Sequence, residues 1–228
     1  MAIPRIASYP MPARPPSGAG LPRWRLDPSR AALLIHDMQR YFLDFFPAGR
    51  SPTTELVANT VRARQAARRA GLPVLYSAQP GRMSRAERGL LHDLWGPGMT
   101  GEPGSSAIID ELTPGPDDVV VTKYRYSAFF RTGLAGLLSA LGRDQLVVCG
   151  VFAHIGCLFT AGDALAHDIE AFLLADAVAD FTLRDHLMAL DYAGRRCAVT
   201  MTTDQMREAV SIRPPPAGVP AKRVPPGR

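Results

Sequence analysis

The stretch Gln145-Leu146-Val147-Val148-Cys149-Gly150-Val151-Phe152-Ala153-His154-Ile155-Gly156-Cys157 decides how the chain is read. Its apolar start over 145–150 predicts a buried strand, and a helix is predicted from about residue 156 to 166. Gly156 and Cys157 therefore stand side by side where a strand turns into a helix. A thiolate at a helix N-terminus is a stabilised nucleophile, whereas glycine there leaves only backbone N–H groups and open space. The first arrangement makes a covalent hydrolase, and the second calls for other chemistry.

Outward from this turn, apolar runs alternate with helical patterns. Strands are predicted over 31–36, 73–77, 119–122, 171–175 and 198–202, and helices over 53–70, 129–141, 184–196 and from 203 onward. Gly71 and Gly142 follow two of the helices, where C-caps belong. Repeated strand-helix units predict an α/β fold in three α-β-α layers, with a mainly parallel, Rossmann-like sheet of about six strands. Residues 1–28, rich in Pro, Gly and Arg, read as an extended arm, 29–212 as the domain, and 213–228 as a Pro-rich disordered tail.

Composition narrows the function classes. The 228 residues are 46% hydrophobic, enough for one domain with a sizeable core. No apolar run is long enough to span a membrane and no signal-peptide plan opens the chain, so a cytoplasmic protein without membrane contact is expected. Cys149, Cys157 and Cys197 lack CxxC spacing, so reduced thiols are expected, and neither a disulfide framework nor a metal site. The net charge of +5 is spread along the chain, with Arg62, Arg64, Arg68 and Arg69 on one predicted helix. Basic helix faces are usually solvated, so no nucleic-acid role is expected; a small anionic substrate would profit from the same charge.

In an open parallel sheet the ligand sits beyond the carboxyl ends of the strands. The positions there are Asp37, Gln79, Lys123, the 150–156 turn and Asp176. An Asp after a strand is ordinarily a turn or cap residue, and a lone Lys a surface residue. Their joint placement on successive strand ends points to a site. No G-x-G-x-x-G follows a strand, and no phosphate loop, Gly-x-Ser-x-Gly elbow or HExxH pattern occurs, so no cofactor is expected.

His36-Asp37-Met38-Gln39, Thr122-Lys123-Tyr124-Arg125-Tyr126-Ser127-Ala128-Phe129 and the 150–157 turn together resemble the isochorismatase family of cysteine-hydrolase-like folds, over roughly residues 22–210. Ala78-Gln79-Pro80-Gly81, Arg88-Gly89-Leu90-Leu91, Trp95-Gly96-Pro97-Gly98-Met99 and Ala175-Asp176-Ala177-Val178-Ala179-Asp180-Phe181 most resemble its phenazine-pathway branch. That branch hydrolyses 2-amino-2-deoxyisochorismate to pyruvate and trans-2,3-dihydro-3-hydroxyanthranilate; the siderophore branch acts on isochorismate. Only a short Pro-rich tail follows residue 212, without a carrier-domain serine motif, so stand-alone hydrolysis is expected. By family analogy a homodimer is expected.

The amidase branch uses an Asp, a Lys and a nucleophilic Cys. Lining up its Gly-Val-x-x-x-x-Cys turn puts Gly156 at the nucleophile's place and Cys157 one residue late, rotated by about 100° on a helix. Cys157 then reads as a packing residue, and the bare Gly156 as room for a substrate ring. A covalent amidase using Cys157 and a non-catalytic relative are the other readings. The resemblance implies that Asp37 is a general acid toward the enolpyruvyl ether, with Lys123 beside it. Burial behind Leu33-Leu34-Ile35 would raise the Asp37 pKa, and Lys123 would oppose that. Gln79 and Arg88 resemble binders of polar and carboxylate groups, Phe42 and Trp95 resemble apolar walls, and Gly156 offers its amide. Phe152 stands where the family generally carries Tyr, which removes one polar contact.

Overall fold

The computed structural model describes residues 3–15, 23–99, 101–102 and 104–211. Six strands form one parallel sheet: β1 (Ala31–His36), β2 (Val74–Ala78), β3 (Val119–Thr122), β4 (Gln145–Val151), β5 (Glu170–Ala179) and β6 (Ala198–Met201). Their order is β3-β2-β1-β4-β5-β6. Neighbours pair in parallel throughout, so the expected three-layer α/β fold is the one present.

β1 shows why the sheet is covered on both sides. All six of its residues are buried. Leu33 and Ile35 point into one core and Ala32 and Leu34 into the other, so the strand reads as a continuous apolar run. The first core is closed by α2 (Thr53–Arg69) and α8 (Thr203–Ser211), the second by α5 (Leu134–Ala140), α6 (Leu158–Ala166) and α7 (Leu183–Arg196). Helix α2 buries Leu56, Thr60, Ala63 and Ala67 at helical spacing and ends before Gly71, whose φ is +72°. Its arginines are tied inward: Arg62 to Asp204, Arg64 to the Glu111 and Thr113 carbonyls, and Arg68 to Asp118.

Three predicted elements shift. The helix expected over 129–141 starts only at Leu134, because Arg131 takes a left-handed φ of +53° and the Thr132 hydroxyl bonds back to the Ala128 carbonyl. The fifth strand runs on to Ala179, because a register shift between Val148 and Gly150 lets Gly150 and Val151 pair with Val178 and Ala179. The helix expected from 156 begins as a π turn over Ala153–Cys157 before α6. The short helices α1 (Arg40–Leu43), α3 (Arg85–Arg88) and α4 (Leu91–Trp95) carry too few turns to show a period in sequence. Among the described residues, no helix is long and apolar enough to cross a membrane.

The stretch expected as an arm has no helix or strand over residues 3–15, yet Ile6 and Tyr9 are buried in the first core. The Tyr9 hydroxyl accepts the Asp180 N–H at 2.7 Å and lies 3.3 Å from His186 Nδ1. Residues 213–228, read as a tail, lie outside the described residues. Because Tyr9→Phe leaves the buried Asp180 amide without its acceptor, it should lower the unfolding free energy by about 1–3 kcal/mol. Urea titration measures this, and unchanged stability would contradict the seating of this segment.

Candidate active site

Order at the site begins with the end of β1. Asp37 turns out of the strand with φ +49°, its N–H held by the Ser77 carbonyl at 3.1 Å. Its carboxylate is 4% exposed as a residue and is gripped from two further strands. Ser77, on β2, donates to Oδ1 at 2.7 Å, and Gln79, just past β2, approaches Oδ2 at 3.3 Å. Lys123, just past β3 and 1% exposed, sets Nζ 2.8 Å from Oδ2. The other two ammonium protons reach the carbonyls of Arg125 at 2.9 Å and Tyr126 at 3.3 Å. All three donors of the buried cation are thus used, as desolvation demands.

The sequence left open whether burial or the lysine would control Asp37. Burial pushes its pKa up, but the Lys123 charge and the hydrogen bonds from Lys123 and Ser77 outweigh it, holding the carboxyl below its ordinary range. In the free protein Asp37 is therefore ionised at neutral pH.

A cavity opens onto this pair, at the switch point where strand order reverses between β1 and β4. Eight of the residues singled out in the sequence line it: Asp37, Phe42, Gln79, Arg88, Trp95, Lys123, Phe152 and Gly156. Arg88 does not pair with its exposed neighbour Glu87. Glu87 closes a capping box with Ser84, while Arg88 is 5% exposed and bonds to the Gly96 carbonyl and Gln79 Oε1. Its guanidinium has no carboxylate partner among the described residues, and burial lowers its pKa. A buried cation with no carboxylate partner among the described residues has donor capacity left for an anion.

Aromatic rings make up much of the remaining lining. Phe152 packs edge-on to Phe42, stacks on Phe46 at 5.7 Å and tilts against Phe181 at 4.6 Å. Trp95 donates from Nε1 to the Tyr126 hydroxyl at 2.7 Å. Phe152 is buried among rings, so the absent hydroxyl leaves this wall dry.

At the strand-to-helix turn, Gly156 faces the cavity and Cys157 does not. Cys157 is fully buried in the second core, and burial raises its pKa well above the ordinary thiol value. The room left by Gly156 is not open: a Cβ there would stand 2.1 Å from Cε1 of the His36 ring. The expectation that the bare glycine makes space for a substrate ring is thus corrected, since an imidazole already fills that space.

Several residues with a part in this geometry escaped the sequence reading. Gln39 is fully buried and bonds the Gln79 main chain in both directions, at 2.8 Å each, fixing Gln79 beside Asp37. Ile3, from the N-terminal segment, lines the cavity. Asp180, at the true end of β5, binds the His154 N–H and ring at 2.6 Å each and so seats the π turn. Asp176, suspected earlier, lies inside the lengthened strand and caps α8 through Thr203. The pattern His36-Asp37-Met38-Gln39 held the Gln39 signal; nothing in the sequence places Ile3. Among the described residues, no cluster of side chains suited to a metal ion occurs.

The profile of the Isochorismatase domain matches residues 31–205. The chain is 51% identical over 206 residues to phenazine biosynthesis protein PhzD1 of Pseudomonas aeruginosa, covering 90% of this chain and 99% of that protein. It is 50% identical over 214 residues to the isochorismatase of Bacillus subtilis, covering 94% of this chain and 69% of that one. Among solved structures, a cysteine hydrolase from Pseudomonas syringae superposes with a TM-score of 0.75 at 26% identity, over 83% of this chain and 96% of that one.

Because Cys149, Cys157 and Cys197 are all buried free thiols, the folded protein should take up almost no iodoacetamide near neutral pH. After unfolding, all 3 should react. Intact-mass measurement decides, and rapid labelling of Cys157 in the folded state would restore the thiol reading of this site.

Proposed function

The chain belongs to the isochorismatase family, and from that premise we propose that it hydrolyses the enolpyruvyl ether of 2-amino-2-deoxyisochorismate, releasing pyruvate and trans-2,3-dihydro-3-hydroxyanthranilate. Its relationship to the phenazine biosynthesis protein supports the amino substrate; isochorismate is the alternative, supported by the Bacillus relative. One observation carries the chemistry. The cavity is lined by a buried carboxyl, two cations and several aromatic rings, and among the described residues no Ser, Thr or Cys lines it.

A vinyl ether is cleaved by protonating its methylene carbon, which makes an oxocarbenium ion. Water adds to that ion, and the resulting hemiketal collapses to pyruvate and a ring alcohol. Asp37 is the acid that faces the cavity. It enters the cycle ionised, so its proton must be gained as the substrate binds. Arg88, with no carboxylate partner among the described residues, takes one substrate carboxylate, and Gln79 bridges Arg88 and Asp37. The second carboxylate adds negative charge near Lys123, weakening its hold on Asp37. A like charge beside a carboxylate raises its pKa, so the acid form is made in the complex. The apolar wall of Phe42, Phe152 and Phe181 keeps bulk water from the vinyl ether until the proton has moved, after which one water adds to the oxocarbenium ion.

Action in the cytoplasm as a homodimer completes the reading. Buried free thiols support the first. The second is supported by exposed Phe159 and Leu165 on α6 and Leu187, Met188 and Tyr192 on the adjoining α7.

Pyruvate release should be measured on 2-amino-2-deoxyisochorismate and isochorismate side by side, with chorismate as a control. Faster release from the amino substrate is expected, and no pyruvate from either isomer would refute the reading. Asp37→Asn should lower kcat on the order of 10²–10⁴-fold.

The pH dependence follows from the sign of the Asp37 shift. The free protein holds Asp37 below its ordinary pKa, and only its protonated form acts. Between about pH 5 and 8, kcat/KM should then fall close to tenfold per unit, while kcat stays flat until the higher pKa of the complex is passed. A flat kcat/KM over that range would exclude Asp37 as the acid.

A further inference from the structure

Both glycines of the strand-to-helix turn make way for one residue. Gly150 pairs with His36 across β4 and β1, with φ +113°, and a Cβ there would meet the His36 carbonyl oxygen at 2.1 Å. Gly156 meets the ring instead, its virtual Cβ lying 2.1 Å from Cε1 and 2.9 Å from both nitrogens. Main chain and side chain of His36 are therefore each seated against a position that tolerates no side chain.

The ring cannot easily move aside. It is fully buried, and Nδ1 is 2.8 Å from the Val151 carbonyl, which fixes the tautomer as Nδ1–H. Nε2 then makes no hydrogen bond among the described residues, a condition that a buried imidazole tolerates only in its neutral form. Burial does lower the His36 pKa, to about 4. The same ring stands 3.8 Å from Asp37 Oδ1, so it forms the floor beneath the carboxylate. It is not among the cavity-lining side chains.

We propose that His36 is a specificity-determining residue that fixes the reaction type: its ring occupies the volume a side chain at position 156 would need, so that end of the cavity is left to the acid Asp37. By the resemblance of the turn, position 156 is where the amidase branch carries its cysteine. The same architecture houses the cysteine hydrolase of Pseudomonas syringae. A thiol route in this chain is therefore closed by two residues together, the bare Gly156 and the imidazole that uses its space. The inference rests on the acid-route reading above, but its tests need no substrate turnover and so can fail independently of it.

Gly162 supplies the control, since it lies on α6 and a Cβ there would meet nothing within 4 Å. Gly156→Ala should lower the melting temperature by at least about 5 °C and shift or broaden the His36 ring N–H resonance, while Gly162→Ala should do neither. In a His36→Val background, Gly156→Ala should cost less than half as much. Gly156→Cys alone should be alkylated by iodoacetamide at least tenfold more slowly than His36→Val/Gly156→Cys, against a silent background of buried native thiols. Equal costs for Gly156→Ala and Gly162→Ala, or additive costs for His36→Val and Gly156→Ala, would overturn the proposal. So would a Gly156→Cys thiol that reacts as fast with His36 present as without it. If His36→Val does not fold, the comparison of the two alanine variants and the ring resonance still decide.

Discussion

A carboxylate and an ammonium 2.8 Å apart, both nearly stripped of water, set the terms for the rest of this molecule. Taking two ions out of water costs several kcal/mol each, and their attraction offsets that only with good geometry and full hydrogen bonding. The sheet provides both. Asp37, Ser77 with Gln79, and Lys123 stand at the ends of three consecutive strands, so parallel register delivers the anion, its hydrogen-bond donors and its counter-ion to one point. Two carbonyls from the segment after β3 complete the ammonium's partners. The resting pair is a stored charge arrangement that an anionic ligand can unbalance.

The chain's basic composition takes on a specific meaning at this point. Of its 26 Lys and Arg residues only two are lysines, Lys123 and Lys222. Where a cation bridges surface elements the chain uses arginine, as in Arg62, Arg64 and Arg68. Where a compact three-donor charge must fit under a strand end, it uses lysine, because a planar guanidinium has five donors and no such shape. Arg88 is the counter-example: a planar fork, buried, bonded among the described residues to a carbonyl and an amide oxygen, with donor capacity left over.

Much of this was readable from residue order, and the exceptions have physical causes. Strand and helix periodicity located the sheet because its inner strands are buried on both faces and read as apolar runs. The polar residues directly after those strands then had only one edge to share. Short helices such as α3, and the segment carrying Ile3, carry no periodic signal, so their packing against the cavity is set by contacts distant in sequence. Asp176 misled because the register shift between Val148 and Gly150 prolongs β5, moving the functional strand end to Asp180.

By itself the sequence determined the α/β order, the family, and the identity of the groups at the strand ends, since those depend on local pattern and on residue chemistry. Only the tertiary structure decided two matters, both of which turn on distances between segments far apart in the chain. The first is the charge state of Asp37, which local burial would have raised and which Lys123, brought in from β3, lowers. The second is the meaning of Gly156. In sequence it is an empty place; in the fold it is filled by an imidazole 120 residues earlier, His36, because the parallel pairing of β1 with β4 presses that ring against the turn.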